Sequence, residues 1–187
     1  MAHAIVVHKT GGPEALEFTE VKVGPPGAGQ VKLKQHAIGV NYIDVYLRTG
    51  LYPQPNPGFI PGMEGAGEVI EVGSGVTDLK VGDRVAYAGP AGGYATERLI
   101  PADRLVKIPD SIDYKTAAAM MLQGMTVRYL IRRTYKVGAG TVLLWHAAAG
   151  GVGLIACQWV KHLGGTLIGT AGGPEKCKLA LAHGAAH

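Results

Sequence analysis

With 187 residues, 47% hydrophobic and 17% charged, the chain has the composition of a folded globular protein and not that of a disordered one. Its net charge of +4 is spread out with no compact basic run, which argues against nucleic acid as the leading partner. The longest apolar stretches are broken by Gly, Lys or His well short of a membrane span, and MAHAIVVHKTGG lacks the charged start and long apolar core of a secretory signal, so the cytoplasm is the expected setting.

The first 110 or so residues are short strand-like runs separated by Gly and Pro, at 4–8, 17–23, 31–38, 67–72, 84–87 and 95–100. Turn clusters such as Gly24-Pro25-Pro26-Gly27 and Lys80-Val81-Gly82-Asp83 divide them, which predicts a mostly antiparallel β-domain. Helical segments follow at 113–122 and 124–135, with Arg128, Arg132 and Arg133 as a solvated rim. The boundary is placed near residue 122, giving domains 1–122 and 123–187.

The second region opens with Thr141-Val142-Leu143-Leu144-Trp145, an apolar run suited to a parallel strand buried on both faces. Ala148-Ala149-Gly150-Gly151-Val152-Gly153 follows at once and fits G-x-G-x-x-G, with Ala148 replacing the first glycine. In such a turn Gly150 lets the backbone approach a pyrophosphate, and Gly153 lets the next helix pack close on the strand. Apolar Ile155, Ala156, Trp159, Val160 and Leu163 recur at helical spacing over 152–163. The free N–H groups of that helix would face an anion held by Ala149, Gly150, Gly151 and Val152. A plain tight turn is the alternative.

The next strand, 165–170, ends about 20 residues after the turn, where an NAD site usually carries an acid for the ribose 2′-OH. Here stand Ala171-Gly172-Gly173-Pro174-Glu175-Lys176-Cys177-Lys178. Gly172 and Gly173 leave room for a 2′-phosphate, and Lys176 and Lys178 offer it charge-assisted hydrogen bonds. Glu175 is the opposing signal, since it could hold a 2′-OH or simply complement a helix start. The balance favours NADP(H), with NADPH as the cofactor. Cys157 and Cys177 fall in the predicted helices and read as small core residues, with no disulfide framework.

Six motifs stand in register along the chain: His8-Lys9-Thr10-Gly11-Gly12-Pro13-Glu14, Gly39-Val40-Asn41-Tyr42-Ile43-Asp44, Arg48-Thr49-Gly50-Leu51-Tyr52-Pro53, Pro61-Gly62-Met63-Glu64-Gly65-Ala66-Gly67, Val81-Gly82-Asp83-Arg84-Val85 and His146-Ala147-Ala148-Ala149-Gly150-Gly151-Val152-Gly153. Together they resemble the medium-chain dehydrogenase/reductase family, and within it the zinc-independent quinone oxidoreductase (zeta-crystallin-like) branch. The resemblance implies a chaperonin-10-like β-domain followed by a Rossmann dinucleotide-binding domain, with the active cleft between them. Zinc alcohol dehydrogenases resemble the chain too, but carry cysteine where Asn41 stands and histidine where Met63 stands. Neither an amide nor a thioether is a good zinc ligand. No paired spacing gathers the seven histidines, and His3, His8 and His36 read as surface or strand positions, so no metal is expected.

Without zinc to polarise an alcohol, the expected activity is NADPH-dependent reduction of a quinone. Asn41, Tyr46 and Tyr52 are the candidate catalytic residues. Asn41, Tyr42, Ile43, Asp44, Tyr46 and Thr126 are expected beside the nicotinamide, as the resemblance implies for the Asn-Tyr-Ile-Asp segment. Asn41 and Thr126 can hydrogen-bond ribose or carboxamide. Tyr46 and Tyr52 could stack on a planar acceptor or donate a proton to a developing oxyanion, or could be packing residues with wet hydroxyls. Asp44 could instead cap a short helix running to Arg48.

The chain stops after the second predicted Rossmann helix, where the family continues through further strands, so a fragment with an incomplete Rossmann domain is expected, inactive alone, from a protein that is a homodimer at full length. Two alternatives stand beside quinone reduction: an enoyl or alkenal double-bond reductase on the same scaffold, and a non-enzymatic nucleotide- or RNA-binding protein.

Overall fold

The computed structural model describes residues 1–54 and 57–187 and separates into two units, Met1–Leu122 and Gln123–His187. In the first, β1 (Ala2–Val6) pairs antiparallel with β2 (Glu17–Val21), from Ala2 opposite Val21 to Val6 opposite Glu17. The main sheet is built from β3 (Gln30–Gly39), β4 (Glu64–Val72), β5 (Arg84–Ala88), β6 (Glu97–Pro101) and β7 (Val106–Lys107), in the order β6-β3-β4-β5-β7 with every pair antiparallel.

Alternation along the strands gives the sheet two apolar faces. Val31, Leu33, Val69, Val85, Tyr87 and Ile100 form one core. Ala66 and Ala86 point the other way and pack with Ile108, Ala117 and Ala118. Each large side chain in the first core stabilises the unit by roughly 1.5–3 kcal/mol relative to exposure. The β3–β4 register slips between Lys32 and Leu33 and between Gln35 and Ala37. Gly67 lies at the second slip, where a Cβ would strike the Lys34 carbonyl, so only glycine lets the strands close.

Some boundaries differ from the pattern in the sequence. β4 begins at Glu64, earlier than the run at 67, because Gly65 and Ala66 pair as well as larger residues do. β6 begins at Glu97, and Ala95 makes an isolated bridge to Ala4. β7 has two residues, too few for any periodicity to mark. The two predicted helical segments are one helix, α2 (Tyr114–Tyr129), preceded by α1 (Tyr42–Thr49). Gly124 costs α2 only about 1 kcal/mol, too little to break a helix of this length. Asp113 caps α2 by accepting the Thr116 N–H at 2.7 Å, which holds its carboxyl below the usual range. A π-helical turn, Leu130–Thr134, closes the segment.

In the second unit β8 (Val142–Trp145) and β9 (Thr166–Gly169) pair in parallel, Val142 opposite Thr166. They alternate with α3 (Gly151–His162) and α4 (Pro174–Ala182). Ala156, Cys157 and Val160 of α3 pack with Val127, Ile131, Leu167 and Ala180. Two expectations fail here. β8 is not buried on both faces, since Val142 and Leu144 are 64% and 58% exposed while Leu143 and Trp145 pack on the core. Within this unit only one face of the β8–β9 pair is covered. Cys157 is a core residue whose thiol burial pushes up, but Cys177 is exposed, on the outer side of α4. Among the described residues no helix is long and apolar enough to cross a membrane.

Candidate functional site

In the first unit the candidate residues gather at the start of α1. Asn41 is extended and occupies the N-cap, and Gly50, at φ 82°, ends the helix in the left-handed region. Asp44, 5% exposed, returns its carboxylate to the Asn41 N–H at 3.0 Å. The same carboxylate accepts the Gly62 N–H at 3.1 Å and the Tyr94 hydroxyl at 2.9 Å. The reading of Asp44 as a helix cap therefore holds, and it anchors the Pro61-Gly62 segment as well. With three donors inside its own unit, Asp44 ties the start of α1 to the Pro61-Gly62 segment and to Tyr94. Burial, then Asp44, pushes the Tyr94 hydroxyl above its ordinary range.

Tyr42 and Ile43 open α1. The Tyr42 ring meets Tyr46 edge-on at 5.1 Å between centroids, and Tyr46 meets Tyr52 at 5.2 Å. Tyr42 and Tyr52 are exposed and Tyr46 half-buried, so the rings form an aromatic surface with polar tips.

One residue at this site was missed in the sequence. Glu64, 1% exposed, accepts the Asn41 Nδ2–H at 2.7 Å through Oε1 and the Leu122 N–H at 2.7 Å through Oε2. A Cβ on Gly39 would collide with this carboxylate. The available signal was an acid inside the small, apolar run Pro61-Gly62-Met63-Glu64-Gly65-Ala66-Gly67, where a charge has no solvated face to occupy. Among the described residues no three His, Cys, Asp or Glu side chains are grouped to hold a metal ion. His3 stacks on Phe18 and His36 on Tyr114.

In the second unit the candidate site is backbone. Ala147 takes φ 52°, and its carbonyl accepts the Gly150 N–H at 2.9 Å, tightening the turn. Gly150 is the N-cap of α3 and makes no side-chain cap. A Cβ on Gly150 would meet only the Ala147 carbonyl, at 3.2 Å, whereas one on Gly153 would lie 2.5 Å from that oxygen and 2.6 Å from Ala148. Gly153 thus serves helix–strand contact and Gly150 borders open space. Gly151 has a third reason, since a Cβ there would collide with the Gln123 carboxamide. Ala148, fully buried, fits the first glycine position because Gly169 faces it, where a Cβ would come within 2.6 Å of the Ala148 methyl.

At the end of β9, Cβ atoms on Gly172 and Gly173 would meet nothing within 4 Å, and Pro174 starts α4. Glu175 and Lys178 pair at 3.0 Å with both side chains exposed. Lys176 is exposed and forms no ion pair among the described residues. Thr126 is half-buried on α2.

Residues 27–110 match the model of the alcohol dehydrogenase GroES-like domain. Over 186 residues, 99% of the chain and 57% of the relative, the sequence is 53% identical to a quinone oxidoreductase of Pseudomonas aeruginosa. A 2-haloacrylate reductase of a Burkholderia species is 47% identical, with the whole chain covering 58% of it. The crystal structure of Escherichia coli quinone oxidoreductase complexed with NADPH superposes with a TM-score of 0.95 at 47% identity, over 98% of this chain and 56% of that one. Over nearly all of its length the chain is similar to the quinone oxidoreductases of the medium-chain dehydrogenase/reductase family. Its fold is that family's chaperonin-10-like β-domain followed by part of its Rossmann domain, and it spans about 57% of the length of the curated relatives it matches.

Proposed function

We propose that the protein carrying this chain is an NADPH-dependent quinone reductase that works without zinc. The observation that carries this reading is the turn at Ala149, Gly150, Gly151 and Val152. It opens α3 with no side-chain cap, with open space beside Gly150, and suits a pyrophosphate. Gly172 and Gly173 leave room for the adenosine end, and Lys176 is the cation for its 2′-phosphate. Bound NADPH supplies a hydride to an electron-poor acceptor. Asn41 and Thr126 hydrogen-bond its ribose or carboxamide, Tyr42 and Ile43 line the nicotinamide side, and Asp44 holds this segment in shape. Tyr46 and Tyr52 stack on the quinone, and a phenol hydroxyl gives a proton to the developing oxyanion.

The amide of Asn41 and the thioether of Met63 are poor zinc donors, which supports metal-independent chemistry. The likeness to a 2-haloacrylate reductase favours activated-alkene reduction as the second reading. RNA binding has no compact basic run to support it. A homodimer in the cytoplasm is the proposed setting.

The test uses the chain completed to the length of its relatives. NADPH oxidation should proceed with a benzoquinone faster than with a conjugated enone, and a chelator should leave it unchanged. Lys176→Ala should weaken NADPH binding about tenfold or more, the worth of one charge-assisted bond, and barely alter NADH binding. Equal losses for both cofactors, or turnover lost to the chelator and restored by zinc, would overturn the proposal.

A further inference from the structure

In the second unit the glycine turn has one polar side chain laid against it. A Cβ on Gly151, the first residue of α3, would collide with Oε1, Cδ and Nε2 of Gln123 alike, so the Gln123 carboxamide lies across the Gly151 Cα. Along α2 and the π-helical turn after it, positions 123, 127 and 131 share one stripe, with 126 and 130 beside it. Val127, Leu130 and Ile131 of that stripe pack in the core with Ala156, Cys157 and Val160 of α3. Level with the start of α3 the stripe turns polar, as Gln123 and Thr126. Packing alone would be met by an apolar side chain of the same length and volume. A carboxamide at that level instead sets hydrogen-bonding groups beside the place where the cofactor's phosphates would sit.

We propose that Gln123 is a cofactor-binding residue whose carboxamide hydrogen-bonds the hydroxyls of the nicotinamide-side ribose. This rests on the reading of the glycine turn as the pyrophosphate site. With the adenosine end assigned to Gly172, Gly173 and Lys176, the other half of the dinucleotide finds its partners elsewhere around the turn. The side chain against Gly151 is Gln123, and Thr126 follows it by one turn of α2. Ribose hydroxyls donate and accept, and a carboxamide offers two N–H groups and an oxygen, so Gln123 can serve the ribose and a protein partner together.

The test measures binding by the chain completed to the length of its relatives, with probes that differ by one group. They are NADPH, 2′-phospho-ADP-ribose, which lacks the nicotinamide, and 2′-phospho-ADP, which lacks the second ribose as well. Gln123→Met keeps the side chain's length and volume but removes its hydrogen-bonding groups. It should weaken NADPH, NADH and 2′-phospho-ADP-ribose about fivefold, the order of one or two neutral hydrogen bonds, and leave 2′-phospho-ADP and the thermal midpoint of the cofactor-free protein unchanged. Gly151→Ala, whose methyl displaces the carboxamide, should repeat this pattern, and should cost nothing further once Gln123→Ala has vacated the space. Unaltered affinities in Gln123→Met, equal losses for 2′-phospho-ADP-ribose and 2′-phospho-ADP, or losses that multiply in the Gly151→Ala, Gln123→Ala double variant would overturn the role of Gln123. A wild-type protein that binds none of the probes would instead overturn the reading of the turn as a pyrophosphate site.

Discussion

The two units build their candidate sites from opposite materials. In the first, side chains hold side chains and backbone. Asp44 gathers three donors, Glu64 gathers two, and Tyr87 gives its hydroxyl to Gln35, which in turn donates to the Ala95 carbonyl. In the second, the site consists of N–H groups, a left-handed Ala147 and glycines. The contrast fits two recognition problems. A phosphate is read by backbone donors and a helix end whatever the side chains are, whereas a planar acceptor needs rings and hydroxyls at fixed places. It also means that the two sites fail differently. The first fails when a buried polar group loses its partner, and the second when an atom is added.

Asp44→Ala should be the most damaging change in the first unit. It strands the Asn41 and Gly62 N–H groups and the Tyr94 hydroxyl, each at about 1–3 kcal/mol if left buried without a partner, so a loss of about 4 kcal/mol is expected in urea unfolding. Asp44→Asn, which keeps an acceptor, should lose less. A cost under about 1 kcal/mol for Asp44→Ala would mean that these donors reach water and that the polar network is not what holds α1.

Gly153→Ala is the matching change in the second unit. Its new methyl would meet the Ala147 oxygen at 2.5 Å and the Ala148 backbone at 2.6 Å, so α3 must move off β8. Overpacking of this kind costs about 1–3 kcal/mol. Hydrogen exchange should speed in residues 142–185 and stay unchanged in β3, β4 and β5. Gly150→Ala, with only one contact at 3.2 Å, should leave exchange as it was and impair NADPH binding instead. If the two substitutions behave alike, the division between a packing glycine and a ligand-facing glycine is wrong.

How far these features were legible depends on whether the physics was local. The glycine turn, the Pro174 helix start and most strands of the first unit rest on periodicity, turn chemistry and short-range sterics, and the sequence carries all of them. β7 did not show because two residues have no period, and the joined helix α2 did not show because Gly124 is a weaker breaker than its reputation. The exposure of Val142 and Leu144 depends on what covers a sheet face, which no strand states about itself. Glu64 was missed for a related reason. Its importance lies in partners at positions 41 and 122, distant in the chain and brought together only by the sheet. The pairing of Lys178 with Glu175 at i,i+3 was local and could have been read, since helix geometry alone brings those positions together.

The smallest effect expected is at Tyr94, where the first unit's network meets a titratable group. The hydroxyl donates to Asp44 at 2.9 Å, and removing it should cost about 1 kcal/mol at neutral pH, because Asp44 keeps its two backbone donors. Folding raises the affinity of Tyr94 for its proton, chiefly through burial and then through Asp44, and burial acts the same way on Tyr87. A group with a raised folded-state pKa lends stability that is fully present below the unfolded value, about 10 for tyrosine, and is lost as pH rises beyond it. Wild-type stability should therefore be flat through neutral pH and fall steeply above about pH 10. Tyr94→Phe removes one of the two protons responsible, so the variant should start lower and decline less steeply, narrowing its deficit in strong alkali. Urea midpoints across pH 7 to 11, with tyrosinate absorbance followed in parallel, measure both quantities. An alkaline slope unchanged by the substitution would show that the Tyr94 hydroxyl ionises as readily in the folded unit as in the unfolded chain, and that its bond to Asp44 does not resist titration.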